Sequence, residues 1–233
     1  MPTQSCLVFD CRNPAVPIPI GRFELDELEN GRFIYEARYL QAAPAFDLDP
    51  IHVPLHQSAI SIRRGGDGSY GVLSDAAPLA WGAHLTLKLR RDSSQHAPQN
   101  AVEWLLSSQL LGSGCLGFSN HIEVPPKLTV EVQASWALTA KVLQGIETYT
   151  LDPTAKLDIE TERAIVPGSS LGGMRPKTLV MHEGAEHIAK FSRPDDPIDV
   201  PTTEYATLRL ATRAGIDVPS FELVTIGEIS STD

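Results

Sequence analysis

The chain has 233 residues, 42% of them hydrophobic and 21% charged, a globular composition with room for one large domain or two small ones. Its formal net charge is -10, which argues against nucleic-acid binding through an overall basic field, a local basic patch aside. No apolar run approaches the roughly 18 residues a membrane span requires, and the first residues lack the charged and apolar segments of a signal peptide. Cys6, Cys11 and Cys115 form an odd set without a C-x-x-C spacing, so free thiols in a reducing cytoplasm are expected.

Taken in chain order, short strands come first. Cys6–Asp10, Gly21–Leu25 and Arg32–Tyr35 are apolar and β-prone, and the turn Glu29-Asn30-Gly31 carries the N-G pair of a hairpin. A short helix is predicted over Ala37–Ala43, extended chain around Pro44, Pro50 and Pro54, and a strand over Ala59–Arg63. Pro78–Arg91 and Asn100–Leu111 read as helices, the second with Asn100 as its N-cap and an apolar face of Val102, Leu105, Leu106 and Leu110. Ser135–Gly145 reads as a helix with Leu138, Val142 and Leu143 inward and Gly145 near its end. A boundary between subdomains is placed within residues 146–165, before a strand at Ala164–Val166.

The segment Pro167–Lys177 (PGSSLGGMRPK) is rich in anion-binding chemistry. Gly172 and Gly173 let backbone N–H groups approach an anion without a Cβ in the way, Ser169 and Ser170 add hydroxyl donors, and Arg175 and Lys177 add positive charge. Two strands follow, Thr178–Met181 and Glu186–Phe191, joined by a turn at Glu183-Gly184. Lys190 is the cation of the second strand. A helix over Thr203–Ala211 puts Glu204 in its first turn, Gly215 and Pro219 stop it, and a last strand is predicted over Phe221–Ile226.

Each piece has a plain explanation. The glycines suit a hairpin, Lys190 could guard a strand edge, and Glu204 could complement a helix dipole. The loop matches neither G-x-x-x-x-G-K-[ST] nor G-x-G-x-x-G. The order loop, strand lysine, helix glutamate is what a kinase small lobe uses to hold ATP phosphates.

These residues resemble the HipA family of serine/threonine kinase toxins in type II toxin–antitoxin systems. The likeness lies in GSSLGGMRPKTLV (Gly168–Val180), HIAKFSRPDD (His187–Asp196) and EYATLRLATRAGIDVP (Glu204–Pro219). It extends to GRFELDELENGRFIYEARYL (Gly21–Leu40), YGVLSDAAPLAWG (Tyr70–Gly82) and LGSGCLGFS (Leu111–Ser119), with Leu79 standing where the family usually carries an acidic residue. The resemblance implies an α+β fold. A β-rich N-terminal HipA subdomain over residues 1–150 would precede, over residues 160–233, a protein-kinase-like small lobe of the HipA and PI3/4-kinase type.

By the same resemblance, Ser169, Ser170, Gly172, Gly173, Arg175, Lys177, Lys190 and Glu204 would cradle ATP, with Mg supplied once a complete C-lobe is present. Ser170 would be the loop serine that such kinases autophosphorylate. No H-x-D or D-x-x-x-x-N pattern follows Lys190, so the catalytic and Mg-binding aspartates are expected to be absent, and no residue here is assigned to catalysis or to a metal. The resemblance further implies a HipB-like DNA-binding antitoxin and a translation-related protein substrate as partners, and the chain would be either part of a split kinase with a separate catalytic lobe or a truncated product. The other reading is a non-catalytic interaction or regulatory module that binds a partner kinase lobe or the antitoxin. The discriminating observation is whether a neighbouring reading frame encodes a helical lobe with those aspartates.

Overall fold

The computed structural model describes residues 4–42, 45–108, 114–121, 136–152, 154–158, 160–161, 175–193 and 195–225. They combine helices with antiparallel sheets, an α+β fold, in two compact units, one carried by residues 4–121 and the other by residues 136–225. The predicted strand at 164–166 and the loop residues Ser169, Ser170, Gly172 and Gly173 lie outside the described residues. No helix among those described is long and apolar enough to cross a membrane.

The first unit is built on a five-stranded sheet of β1 (Ser5–Asp10), β2 (Ile18–Leu25), β3 (Gly31–Tyr35), β4 (Ile60–Ile62) and β5 (Leu116–Ser119), in the order β4-β3-β2-β1-β5. All its neighbouring pairs are antiparallel. The β2–β3 turn is fixed by Asp26, whose carboxylate accepts from Leu28 N, Asn30 N and Asn30 Nδ2, each at 2.8 Å. Glu29 takes a positive φ of 59° there. The register sets Phe23 opposite Phe33, so two aromatic rings enter the core side by side. Val8, Ile20, Leu73 and Val102 complete a core with no exposed surface. Tyr35 is buried with its hydroxyl satisfied, donating to the Val53 carbonyl at 2.6 Å and accepting from Leu48 N at 3.0 Å.

Around this sheet lie α1 (Ala37–Leu40), α2 (Val72–Asp75), α3 (Trp81–Asp92) and α4 (Ala101–Ser107). Asn100 caps α4 as expected, its side chain accepting from Glu103 N at 3.0 Å. All four helices differ from expectation, α4 ending at Ser107 short of Leu111 because Ser108 turns extended at a ψ of 104°. α1 ends three residues early, α2 was not foreseen, and α3 starts at Trp81 because Ala80 holds a φ of 45° that a helix cannot continue. Lys88 is buried on α3 and pairs with Asp92 at 2.7 Å. All three cysteines are free thiols, and burial pushes those of Cys6 and Cys11 up to about 12. Neither is a thiolate at neutral pH.

The second unit contains α5 (Trp136–Leu151), a hairpin of β6 (Lys177–His182) and β7 (Ala185–Lys190), and α6 (Val200–Arg213). In α5 the buried positions Thr139, Val142 and Ile146 recur at helical spacing. The helix runs past Gly145, which is buried in its interior and does not stop it. Residues 221–225 form no strand, for no neighbouring described segment offers them a ladder; Phe221 instead packs edge-on against Tyr205 of α6, ring centroids 5.6 Å apart.

Candidate nucleotide site

The β6–β7 hairpin closes through the two-residue turn Glu183-Gly184, with φ of 50° and 79°. Both central residues need the left-handed region in such a turn, and glycine meets it without strain. The register then places Lys177 directly opposite Lys190 at the other end of the hairpin. A bond from Phe191 N to the Pro176 carbonyl, 3.1 Å, carries the ladder one step further. Directly paired residues present their side chains on the same face, so the two lysines are neighbours.

Their surroundings differ. Lys177 is buried, whereas Lys190 is about half exposed. Burial lowers the Lys177 pKa below its ordinary value, the charge of Lys190 lowers it further, and Glu204 partly offsets both. Two facing cations, one of them paired with Glu204, concentrate positive charge at this end of the hairpin, where an added anion relieves repulsion.

The depressed pKa has a stability consequence. Between the lowered value and the ordinary 10.5, the unfolded chain holds a proton at Lys177 that the folded chain has lost. Stability therefore rises with pH across that window, and below it the buried charge is a constant cost. Urea unfolding should show wild type gaining on Lys177→Met as pH climbs from neutral toward that window's upper end. A difference that stays flat would mean that the folded state places the ammonium at no disadvantage.

Glu204 comes from α6. Asp199 is the N-cap of that helix, accepting from Thr202 N at 3.2 Å, and Pro201 sits in the first turn, where its missing N–H costs nothing. The helix thus begins earlier than expected, and Glu204 lies beyond its first turn. The dipole explanation for Glu204 loses its basis, since the effect fades within one turn. What Glu204 does is pair with Lys190, its Oε1 accepting from Nζ. Both side chains are more than a third exposed, so the pair contributes about 0–1 kcal/mol to stability. Its value is positional.

Arg175 stands just before β6 and pairs with Asp196 at 2.5 Å. The Asp196 carboxyl is held below its usual range, first by this guanidinium and then by the backbone N–H of Arg193, which donates at 2.8 Å. Asp196 was not singled out by sequence, because an acid in R-P-D-D reads as a turn residue. At the hairpin's other end His182 lies 3.4 Å from Glu222 and edge-on to His187. Among the described residues no group of His, Cys, Asp or Glu could hold a metal ion.

The structure therefore brings together Lys177, Lys190 and Glu204, with Arg175 at the same end of the hairpin held by Asp196. A comparison with curated proteins returned no match. Residues 169–232, from the glycine-rich loop through β6, β7 and α6, match the family model of the HipA-like C-terminal domain, and over that segment the chain is HipA-like.

Proposed function

We propose that the chain is the nucleotide-cradling part of a HipA-like serine/threonine protein kinase, acting in a type II toxin–antitoxin module. The observation that carries this reading is the Lys190–Glu204 pair beside Lys177, within the segment that matches the family. A strand lysine held by a helix glutamate is the element that orients ATP phosphates in kinase small lobes. Lys190 would reach the α- and β-phosphates, Lys177 would add charge from the facing strand, and Ser169, Ser170, Gly172 and Gly173 would donate from the preceding loop. Arg175 stands where that loop meets β6. MgATP would supply the phosphoryl group, and the aspartates that position Mg and the substrate hydroxyl would come from a separate catalytic lobe. A HipB-like DNA-binding antitoxin and a translation-related protein substrate complete this reading.

Calorimetric titration with MgATP tests it. Saturable binding is expected. Ser170→Asp sets a carboxylate among the phosphate donors and should weaken binding by about tenfold, as a phosphate on Ser170 would do more strongly. Absence of saturable heat with the wild-type chain would remove the nucleotide function.

A second reading is a partner-binding module that docks a kinase lobe or an antitoxin. It draws on α6, none of whose side chains is buried, and on exposed Leu210 and Ile216 at its end. On that reading the cradle is vestigial or binds nucleotide without turnover.

A further inference from the structure

Two ion pairs bracket the link between β7 and α6. Lys190–Glu204 joins the end of β7 to the helix, and Arg175–Asp196 joins Arg175, two residues before β6, to the middle of the link. They are unequal. The Asp196 side chain is only 8% exposed, against 38% for Glu204. Arg175 Nη1 donates to both Asp196 oxygens, and Arg193 N donates to one of them. Asp196 N returns a bond to the Arg193 carbonyl at 3.1 Å, closing a tight turn. A half-exposed pair such as Lys190–Glu204 is too weak to hold a helix against a strand. A nearly buried carboxylate with charge-assisted bonds from two chain segments is strong enough to fix the link between them.

We infer that Asp196 and Arg175 form a clamp that positions Glu204 against Lys190, and that Arg175 serves the phosphate site through this clamp instead of touching the phosphates. The inference rests on the proposed nucleotide site for its functional meaning, but the clamp itself can be tested without nucleotide. Asp196 is a positioning residue. Its carboxylate neutralises the guanidinium it holds, so little of Arg175's charge remains for an anion. The two roles for Arg175 differ in sign. If Arg175 were a phosphate ligand restrained by Asp196, Asp196→Asn would release it and tighten MgATP. If the pair is a clamp, the same change loosens Glu204 and weakens MgATP.

The experiment uses the full chain and three variants: Asp196→Asn, Glu204→Gln, and the charge swap Arg175→Asp with Asp196→Arg. Acetylation of Lys190 by an N-hydroxysuccinimide ester, followed by mass spectrometry, reads how well Glu204 holds the amine. Calorimetry with MgATP reads the site. Asp196→Asn should speed Lys190 acetylation by about threefold, as Glu204→Gln does, and weaken MgATP by about tenfold. The charge swap should restore most of both, because the clamp is rebuilt while an arginine at the loop's end is not. An unchanged acetylation rate in Asp196→Asn overturns the clamp, as does MgATP binding that is unchanged or tighter. A folded charge-swap chain that labels like wild type but does not bind MgATP makes Arg175 a direct ligand and also overturns it. If the wild-type chain binds no MgATP, the nucleotide reading falls, and the acetylation rates alone still decide the clamp.

Discussion

Phe33→Ala is expected to destabilise the first unit by about 3–5 kcal/mol, the range for emptying a buried aromatic site. Phe33 has no exposed surface, faces Phe23 across the β2–β3 ladder and meets Tyr35 edge-on with ring centroids 4.9 Å apart. Its ring also fills the space that a side chain at Gly21 would need. A Cβ there would lie 2.8 Å from the Phe33 ring and 2.3 Å from the Ile34 carbonyl oxygen. The ring and the missing Cβ are therefore one packing solution. Removing the ring leaves a void walled by strand backbone, which cannot collapse inward because the ladder fixes it. Circular dichroism under urea should show the midpoint falling, with Phe33→Leu losing distinctly less than Phe33→Ala. A loss below about 1 kcal/mol for Phe33→Ala would mean that this sheet face is not where the core lies.

Local chemistry made several elements readable in the chain. The N-G turn, the alternation in β2 and β3 and the Asn100 cap are signals that neighbours supply to one another. The misreadings share a cause. Gly145 resembles a helix stop, yet it lies buried in the interior of α5, next to buried Ile146 and three residues from buried Val142. The helix carries through it despite a local cost of about 1 kcal/mol. Residues 221–225 have the composition of a strand, but a strand is a property of two segments, and composition does not show whether the second is there. The start of α6 was legible and misplaced. Asp199 followed by Pro201 and Thr202 is a helix opening, one turn ahead of the expected start. At the candidate site, Lys190 and Glu204 could be read from their order along the chain. Asp196 could not, because its meaning depends on Arg175, twenty-one positions earlier and adjacent only through the hairpin.

Lys190→Ala should reduce MgATP affinity by about 10- to 100-fold, while the unfolding midpoint of the chain barely moves. The two expectations come from the same observation. The amine is about half exposed, so its pairing with Glu204 stabilises the fold by about 0–1 kcal/mol and its removal leaves no buried carboxylate behind. A bound phosphate changes the balance. It would bring its own charge to an amine already aimed by Glu204 and backed by Lys177, and charge-assisted bonds in a partly dehydrated site are worth more than the exposed pair they join. Glu204→Gln should cost less than Lys190→Ala, because it removes only the aim. The double variant should then cost little more than Lys190→Ala alone, since a glutamate with no lysine to orient has nothing to contribute. Fully additive losses would assign Glu204 a role apart from Lys190. Equal MgATP binding by wild type and Lys190→Ala would place the phosphates elsewhere, and the facing lysines would then be only the closed end of a hairpin.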